Sequence, residues 1–511
     1  MRHTQFYVYE ALTCGGMDWG YDGATMSPAQ NVIKRTSFGP RLTMPQLWAF
    51  LAIALPAVAA LGASLSTIDL AYNVRAGQIM LDTGSVLRTD TFSFTSAGLP
   101  WLNQQWGAQV LLGIAYRVGG FDAIAVVRAL AVGSVYLLTY LSCRAFAASM
   151  RVAAGLVLLG FAASMIGLAA RPQIFATVLF ALVVWILATR RTTKWVWAIP
   201  ALVLVWANVH GTFPLGILLA GLASVEAALR RKPNQTRTLL LVTLVAAAAT
   251  LINPFGPRVW SYALGIPASA TIRGSITEWQ VPTARNPFGL VFFLSGGMVA
   301  AILARQRKPT PVLALVALAM FFGLGLYAMR ATLWWGLIFP PVVSAVLGET
   351  RPAAPPTDER PSRATALIAA FVVILGLSFA PWLREQNPLL AEPGLLTTAP
   401  RGITSAVSSN LAPGERMFNA QIWGSWFEFA LPADRIFVDS RIELYPAAVW
   451  KDYYSVSQGQ EGWQQILDRW DIGLVAASRS QQAALIPRIS RDPGWERVYA
   501  DGQGVVFVRR P

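Results

Sequence analysis

From Gln46 to Leu383 the chain alternates long apolar runs with short polar links, and the links are of two kinds. Every second one is basic: Arg190-Arg191-Thr192-Thr193-Lys194, Arg230-Arg231-Lys232 and Arg305-Gln306-Arg307-Lys308. The alternate turns carry Asp69, Arg171, Asn208 with His210, Glu278 and Arg330. Repeated apolar runs of this kind predict membrane helices, and basic links mark their cytoplasmic side. The predicted spans are 46–65, 122–145, 152–170, 173–190, 195–208, 212–230, 237–253, 287–304, 310–328, 332–348 and 365–383. That is about eleven, with the N-terminus cytoplasmic and the C-terminus extracytoplasmic. The unusual polar residues then collect on the outer face.

Two stretches depart from the ladder. Between the first two spans runs a polar loop, 66–121, holding Asp69, Arg75, Asp82, Arg88 and Asp90. Inside it Trp106–Val118 is apolar but short and interrupted by Arg117, which predicts an interfacial or re-entrant helix. After Pro388 the pattern turns to short alternating runs: β-like segments at Arg416–Ala420, Trp426–Leu431, Arg435–Asp439, Ile472–Ala476 and Gly504–Arg509, with a helix over Glu461–Trp470. Arg351–Arg363 is a Pro-rich charged linker on the cytoplasmic side. The expected fold is an α-helical polytopic membrane protein with a small C-terminal α/β extracytoplasmic domain. Its parts are an N-terminal extension 1–45, a membrane domain 46–383 and the α/β domain 384–511.

Composition agrees. The chain has 511 residues, 55% hydrophobic and 13% charged, with mean hydropathy +0.48 and 19 Trp suited to membrane–water interfaces. A net charge of +15 would suit nucleic acid, but from Arg384 onward 13 Lys+Arg face 14 Asp+Glu. The excess therefore lies in the membrane part and its extension, as topology signal, and nucleic acid is excluded as a partner. Cys14 and Cys143 fall in different environments and are not expected to pair. Residues 1–43 lack a secretory h-region and a small-residue cleavage site, and read as a cytoplasmic extension, disordered or preceding a true start at Met44. Gly-rich phosphate loops, zinc-type Cys/His spacings and hydrolase nucleophile elbows are absent.

The candidate chemistry is carried by single residues. Asp69, three residues after the first span, is a carboxylate near the apolar boundary; the plain alternative is a helix N-cap. Asp90 reads as a turn carboxylate. His210 lies in the hairpin Ala207-Asn208-Val209-His210-Gly211. Arg171 and Arg330, at outer span ends, suit phosphate or lipid headgroups. Glu278-Trp279 sets a carboxylate beside an aromatic platform. Apart from Arg128 the span midplanes are nearly uncharged, which argues against a transporter.

The chain resembles the GT-C superfamily of membrane glycosyltransferases, which includes protein O-mannosyltransferases and the aminoarabinose and Rgt-type lipopolysaccharide sugar transferases. It is similar in particular to a group of bacterial polytopic proteins of that superfamily. The matching segments are Asp69…Gly77, Arg88-Thr-Asp-Thr-Phe-Ser-Phe-Thr95, Trp101-Leu-Asn-Gln-Gln-Trp106, Ala170-Arg-Pro-Gln173, Trp206-Ala-Asn-Val-His-Gly211, Asn253-Pro-Phe-Gly256, Glu278-Trp279 and Phe437-Val-Asp-Ser-Arg441 with Tyr445. Two departures stand out: Leu-Ala-Tyr-Asn follows Asp69 where an aromatic stretch ending in His is expected, and Gln105 stands where Glu is expected. The resemblance implies a polyprenyl-phosphate sugar as donor, membrane lipids as neighbours, and a glycan, lipid or protein acceptor on the outer face of the inner membrane. It further implies Asp69 as the base, Arg171 and Arg330 on the departing phosphate, and His210, Asn208, Glu278 and Trp279 as binding groups. Asp90 and Gln105 are secondary candidates, and Glu278 could share a divalent cation with Asp69. A non-catalytic scaffold or glycan-binding component of an envelope assembly is the alternative.

Overall fold

The first helix, α1 (Met44–Gly62), starts where Thr43 and Gln46 cap each other: the Gln46 N–H donates to Thr43 Oγ1 at 3.4 Å, and the Thr43 N–H to Gln46 Oε1 at 2.8 Å. The computed structural model describes residues 41–146, 148–190, 192–268, 277–306, 310–348, 361–390, 394–431 and 436–510. The expectations for residues 1–40, Cys14 and most of the linker 351–363 lie outside the described residues. Following α1 are α2 (Leu70–Thr83), α3 (Trp106–Arg144), α4 (Met150–Ala163), α5 (Gln173–Thr189), α6 (Ala198–Val209), α7 (Pro214–Leu229), α8 (Pro233–Ala249) and α9 (Arg258–Ala268). Then come α10 (Pro287–Ala304), α11 (Val312–Tyr327), α12 (Thr332–Gly348) and α13 (Arg363–Ser378).

Among the described residues four helices are long and apolar enough to cross a membrane: Met44–Gly62, Trp106–Arg144, Pro287–Ala304 and Met329–Gly348. Six apolar helices are shorter, such as Met150–Ala163 and Gln173–Thr189. At 1.5 Å per residue a 17-residue helix reaches about 26 Å, somewhat less than the hydrocarbon core. Composition and these helices make the chain an integral membrane protein.

The helix α3 is two arms. Gly119 and Gly120 leave helical geometry, Gly120 with φ +61°, which an L side chain rarely adopts. The kink separates Trp106–Val118 from Phe121–Arg144, so the short apolar segment and the following span join at a glycine hinge. Against the first arm lies α2. A Cβ on Gly77 would sit 1.9 Å from the Gln109 carbonyl oxygen, and one on Gly113 would sit 2.8 Å from the Gly77 carbonyl carbon. Only glycine allows that approach. Arg128, which the sequence places at a span midplane, instead caps a helix end: it donates to the carbonyls of Ala60 (2.6 Å), Ala63 (2.6 Å) and Ser64 (2.9 Å). Arg384 donates to the Gly62 carbonyl at 2.8 Å. Both guanidinium groups meet the carbonyls that the last turn of α1 leaves unpaired, where helix polarity favours a cation.

The C-terminal region is built from α14 (Arg401–Asn410), β1 (Arg416–Asn419), α15 (Gln421–Ala430), α16 (Ala447–Ser457), α17 (Trp463–Arg469), β2 (Ile472–Ser478), α18 (Ile486–Ile489), β3 (Trp495–Ala500) and β4 (Gly504–Arg509). The sheet order is β1-β2-β4-β3, with β1 parallel to β2 and the other pairs antiparallel. The expected strand at Trp426–Leu431 is the second half of α15. Trp423 and Phe427 are four residues apart and both buried, a helical stripe that two-residue alternation misread. The segment expected as a strand at Arg435–Asp439 makes one isolated bridge, between Ile436 and Ser93, and Arg435 lies outside the described residues. The unforeseen strand is β3, a largely exposed edge strand whose sequence lacks a buried face.

Loop and tail fold into each other. The Phe94 N–H donates to the Ile436 carbonyl at 3.3 Å, and Thr95 Oγ1 donates to the Phe437 carbonyl at 2.5 Å. The Phe94 ring meets those of Phe437 and Trp470, with centroids 5.8 and 6.1 Å away. Beside this seam Arg441 contacts three acids, Asp90 at 2.9 Å, Glu428 at 3.4 Å and Asp439, all with fully enclosed side chains. Its guanidinium lies 4.7 Å from the Trp101 ring centroid, 5.0 Å from Phe92 and 5.5 Å from Tyr72. Burial first, and Asp439 second, push the Glu428 carboxyl well above the ordinary range, which favours its protonated form. The arrangement ties Arg88–Thr95 and Trp101–Trp106 to Phe437–Tyr445.

Candidate active site

The site begins at the start of α2. Asp69 occupies the N-cap position there, but its side chain makes no capping hydrogen bond. Instead Oδ1 accepts from Arg171 Nε at 3.2 Å, and Oδ2 has no protein partner among the described residues. Arg171 sits in the turn before α5, and its Nη1 donates to Glu278 Oε2. One guanidinium therefore joins the loop carboxylate to a carboxylate some two hundred residues away in sequence. All three side chains keep partial exposure, 26% for Asp69, 19% for Arg171 and 28% for Glu278. Burial lowers the pKa of Arg171, but Asp69 and Glu278 together outweigh burial and raise it.

Arg330 is placed differently. Its Nη2 donates to Gln173 Oε1 at 3.0 Å, and its guanidinium stands 4.8 Å from the Trp279 ring centroid. No carboxylate pairs with it among the described residues. His210 ends α6. Its Nδ1 accepts from the Thr212 N–H at 3.3 Å and lies 3.0 Å from Thr212 Oγ1, so the neutral ring holds its proton on Nε2. Burial, then Arg330 and Arg171, depress its pKa to about 3, which keeps the imidazole neutral.

Three cavities meet at these residues. One of about 640 Å³ lies between the C-terminal region and Asp69, Arg171, Glu278 and Arg330. A second of about 120 Å³ is lined by Asp69, Tyr72, His210, Tyr262, Arg330 and Glu443, among others. A third of about 330 Å³ runs between helices past His210, Trp279, Leu215, Leu324 and Trp334. Arg330 lines all three, with a charged side toward the tail and an apolar side among the membrane helices.

Of the residues singled out in sequence, Asp69, Arg171, His210, Glu278, Trp279, Arg330 and Gln105 line these cavities. Gln105 donates to the Tyr262 hydroxyl at 3.4 Å. Asn208 is placed otherwise: it accepts from Trp106 Nε1 at 2.9 Å and donates to the carbonyls of Leu204 (2.9 Å) and Ile252 (3.0 Å), so its polar groups bind helices together. Asp90 is spent on Arg441 and on the N–H groups of Phe92 and Ser93, each at 3.2 Å. As for a cation between Asp69 and Glu278, the Arg171 guanidinium stands between these carboxylates. No group of three His, Cys, Asp or Glu suited to a metal occurs among the described residues.

Sequence reasoning missed Glu443 and Tyr262. Glu443 is brought in from the tail two residues after Arg441. Much of its surface is accessible within the small cavity that it lines, and desolvation there, then Asp439 and Asp69, raises its pKa. Its only signal was its place just beyond Phe437–Arg441.

No family model matches the sequence, and no curated protein is significantly similar to it. Among solved structures the chain is similar to ArnT from Cupriavidus metallidurans in the apo state, at 14% identity and TM-score 0.39 over 90% of this chain and 96% of that one. It is also similar to the Archaeoglobus fulgidus oligosaccharyltransferase in complex with Zn and sulfate, at 13% identity and TM-score 0.44 over 90% of this chain and 73% of that one.

Proposed function

We propose that the protein is a membrane glycosyltransferase of GT-C type that moves a sugar from a polyprenyl-phosphate donor to an acceptor hydroxyl. The reading takes about eleven helices as crossing the inner membrane, N-terminus cytoplasmic, with the site and the C-terminal region extracytoplasmic. The observation that carries it is the presence, at one cavity junction, of a guanidinium without an acidic partner and an open carboxylate oxygen: Arg330, held by Gln173 and Trp279, and Asp69 Oδ2.

In this reading the prenyl chain lies in the apolar cavity among Leu215, Leu324 and Trp334, and its phosphate reaches Arg330. Asp69 Oδ2 takes the acceptor proton as the hydroxyl oxygen bonds to the anomeric carbon. The bond from that carbon to the phosphate oxygen breaks, and its electron pair stays on the phosphate. Arg330 and the Nε2–H of neutral His210 stabilise that charge. Arg171 is a positioning residue: paired with both Asp69 and Glu278, it fixes the base and takes no direct part at the phosphate. No step is routed through a cation.

The test is Asp69→Asn in a strain lacking the gene, with envelope glycans, glycolipids and glycoproteins compared by mass spectrometry. An enzyme loses one sugar from one fraction while the variant still inserts in the membrane. Identical profiles for parent and Asp69→Asn refute transfer and leave a scaffold.

A further inference from the structure

The 640 Å³ cavity has two walls of different chemistry. The membrane side supplies Asp69, Arg171, Glu278 and Arg330. From the tail come Trp450, Tyr454, Gln421, Gln458, Gln481 and Ser457, with no charged side chain among the described lining residues. Trp450 and Tyr454 stack with centroids 5.7 Å apart and planes at 28°, and Tyr454 is 44% exposed. The amides around them are only half engaged. Gln458 accepts from Gln460 Nε2 at 2.7 Å and Gln481 from the Ile422 N–H at 3.3 Å, so both keep their NH₂ groups free of protein partners among the described residues. The Gln421 side chain has none there either; its backbone N–H donates to Tyr453 Oη at 2.8 Å.

From this wall we infer that the acceptor is an uncharged carbohydrate chain, its terminal hydroxyl presented to Asp69. A pyranose has a C–H face that packs on an aromatic ring, and a rim of hydroxyls that both donate and accept. Stacked aromatics with planar amides answer both features. A lipid phosphate acceptor would need cations on the wall, and the tail lining has none. An acceptor peptide would gain most by pairing with a strand edge, yet the wall is formed by α16, the start of α15 and adjoining loops. At about 640 Å³ the cavity has room for a few sugar rings, and Asp69 is in its lining.

This inference rests on the transferase reading, and the experiment separates the two. The deletion strain is complemented with the parent gene, Asp69→Asn, Tyr454→Ala or Gln458→Ala, and polysaccharide, lipid and protein fractions are analysed by mass spectrometry. The expected result is a sugar missing from a neutral glycan with Asp69→Asn. In membranes supplied with the neutral polysaccharide fraction of the deletion strain, Tyr454→Ala should raise the acceptor concentration for half-maximal transfer about three- to tenfold, the size of one aromatic contact. Its melting temperature should fall by no more than a few degrees, because the ring is 44% exposed and its loss removes only its contacts with Trp450 and Tyr453. A sugar missing instead from a protein side chain or a lipid phosphate overturns the acceptor and leaves the transferase standing. So does parental acceptor dependence in both tail variants. No missing sugar anywhere with Asp69→Asn overturns both.

Discussion

Arg330 separates binding a departing charge from holding the fold. Its protein contacts are one hydrogen bond to Gln173 at 3.0 Å and the face of Trp279 at 4.8 Å. Removing the guanidinium strands no carboxylate, so Arg330→Ala should cost only about 1 kcal/mol for the hydrogen bond and about 0.5–2 kcal/mol for the cation–π contact. Loss of one preorganised stabiliser of a transition-state charge, by contrast, slows turnover about 10²–10³-fold, or about 2.7–4 kcal/mol. Sugar transfer should therefore fall by two to three orders of magnitude in a variant that still inserts and melts within a few degrees of the parent. Arg330→Lys should recover part of the rate, since an ammonium restores charge but not the planar fork. The assay is glycan mass spectrometry of the complemented deletion strain, with melting of the detergent-purified protein followed by tryptophan fluorescence. Transfer at the parental rate in Arg330→Ala would leave the arginine as a headgroup anchor and remove the electrophilic half of the mechanism.

Arg441→Met should free the tail from the loop, because it leaves the buried Asp90 and Asp439 without a cation at a cost of about 3–5 kcal/mol, and limited proteolysis should then release a tail fragment. Glu428→Gln, which mimics the protonated form that burial favours, should keep the parental proteolysis pattern at pH 7. His210 resists protonation in the fold down to about pH 3, whereas the unfolded chain takes the proton below about 6.5. The stability it contributes is thus complete above pH 6.5 and is lost as pH falls toward 3; His210→Gln should flatten that part of the melting-temperature profile. Glu443 stays protonated above the usual carboxyl range, and its ionisation as pH rises adds negative charge beside Asp69. Glu443→Gln should remove that contribution to the pH dependence of transfer, and an unchanged pH profile would remove Glu443 from the site.

Much was legible along the chain because membrane helices announce themselves by composition. The apolar runs, the polar loop, the short segment before the second span and the change of character near Pro388 all follow from local pattern, since lipid imposes the same demand on every span. Asp69, Arg171, Glu278 and Arg330 stood out because a charge close to an apolar run is unusual. Tertiary structure decided what local pattern does not encode. It chose the Arg171 side chain over a helix cap as the partner of Asp69, and divided two arginines that look alike in sequence into one paired with carboxylates and one without an acidic partner. Asn208 and Asp90 went to structural bonds, and Glu443 and the Trp450–Tyr454 wall came to the cavity through the Arg441 clamp. These outcomes depend on which groups meet across one hundred to nearly four hundred residues of chain. Only packing fixes those meetings, because a polar group's role is set by the partner it finds.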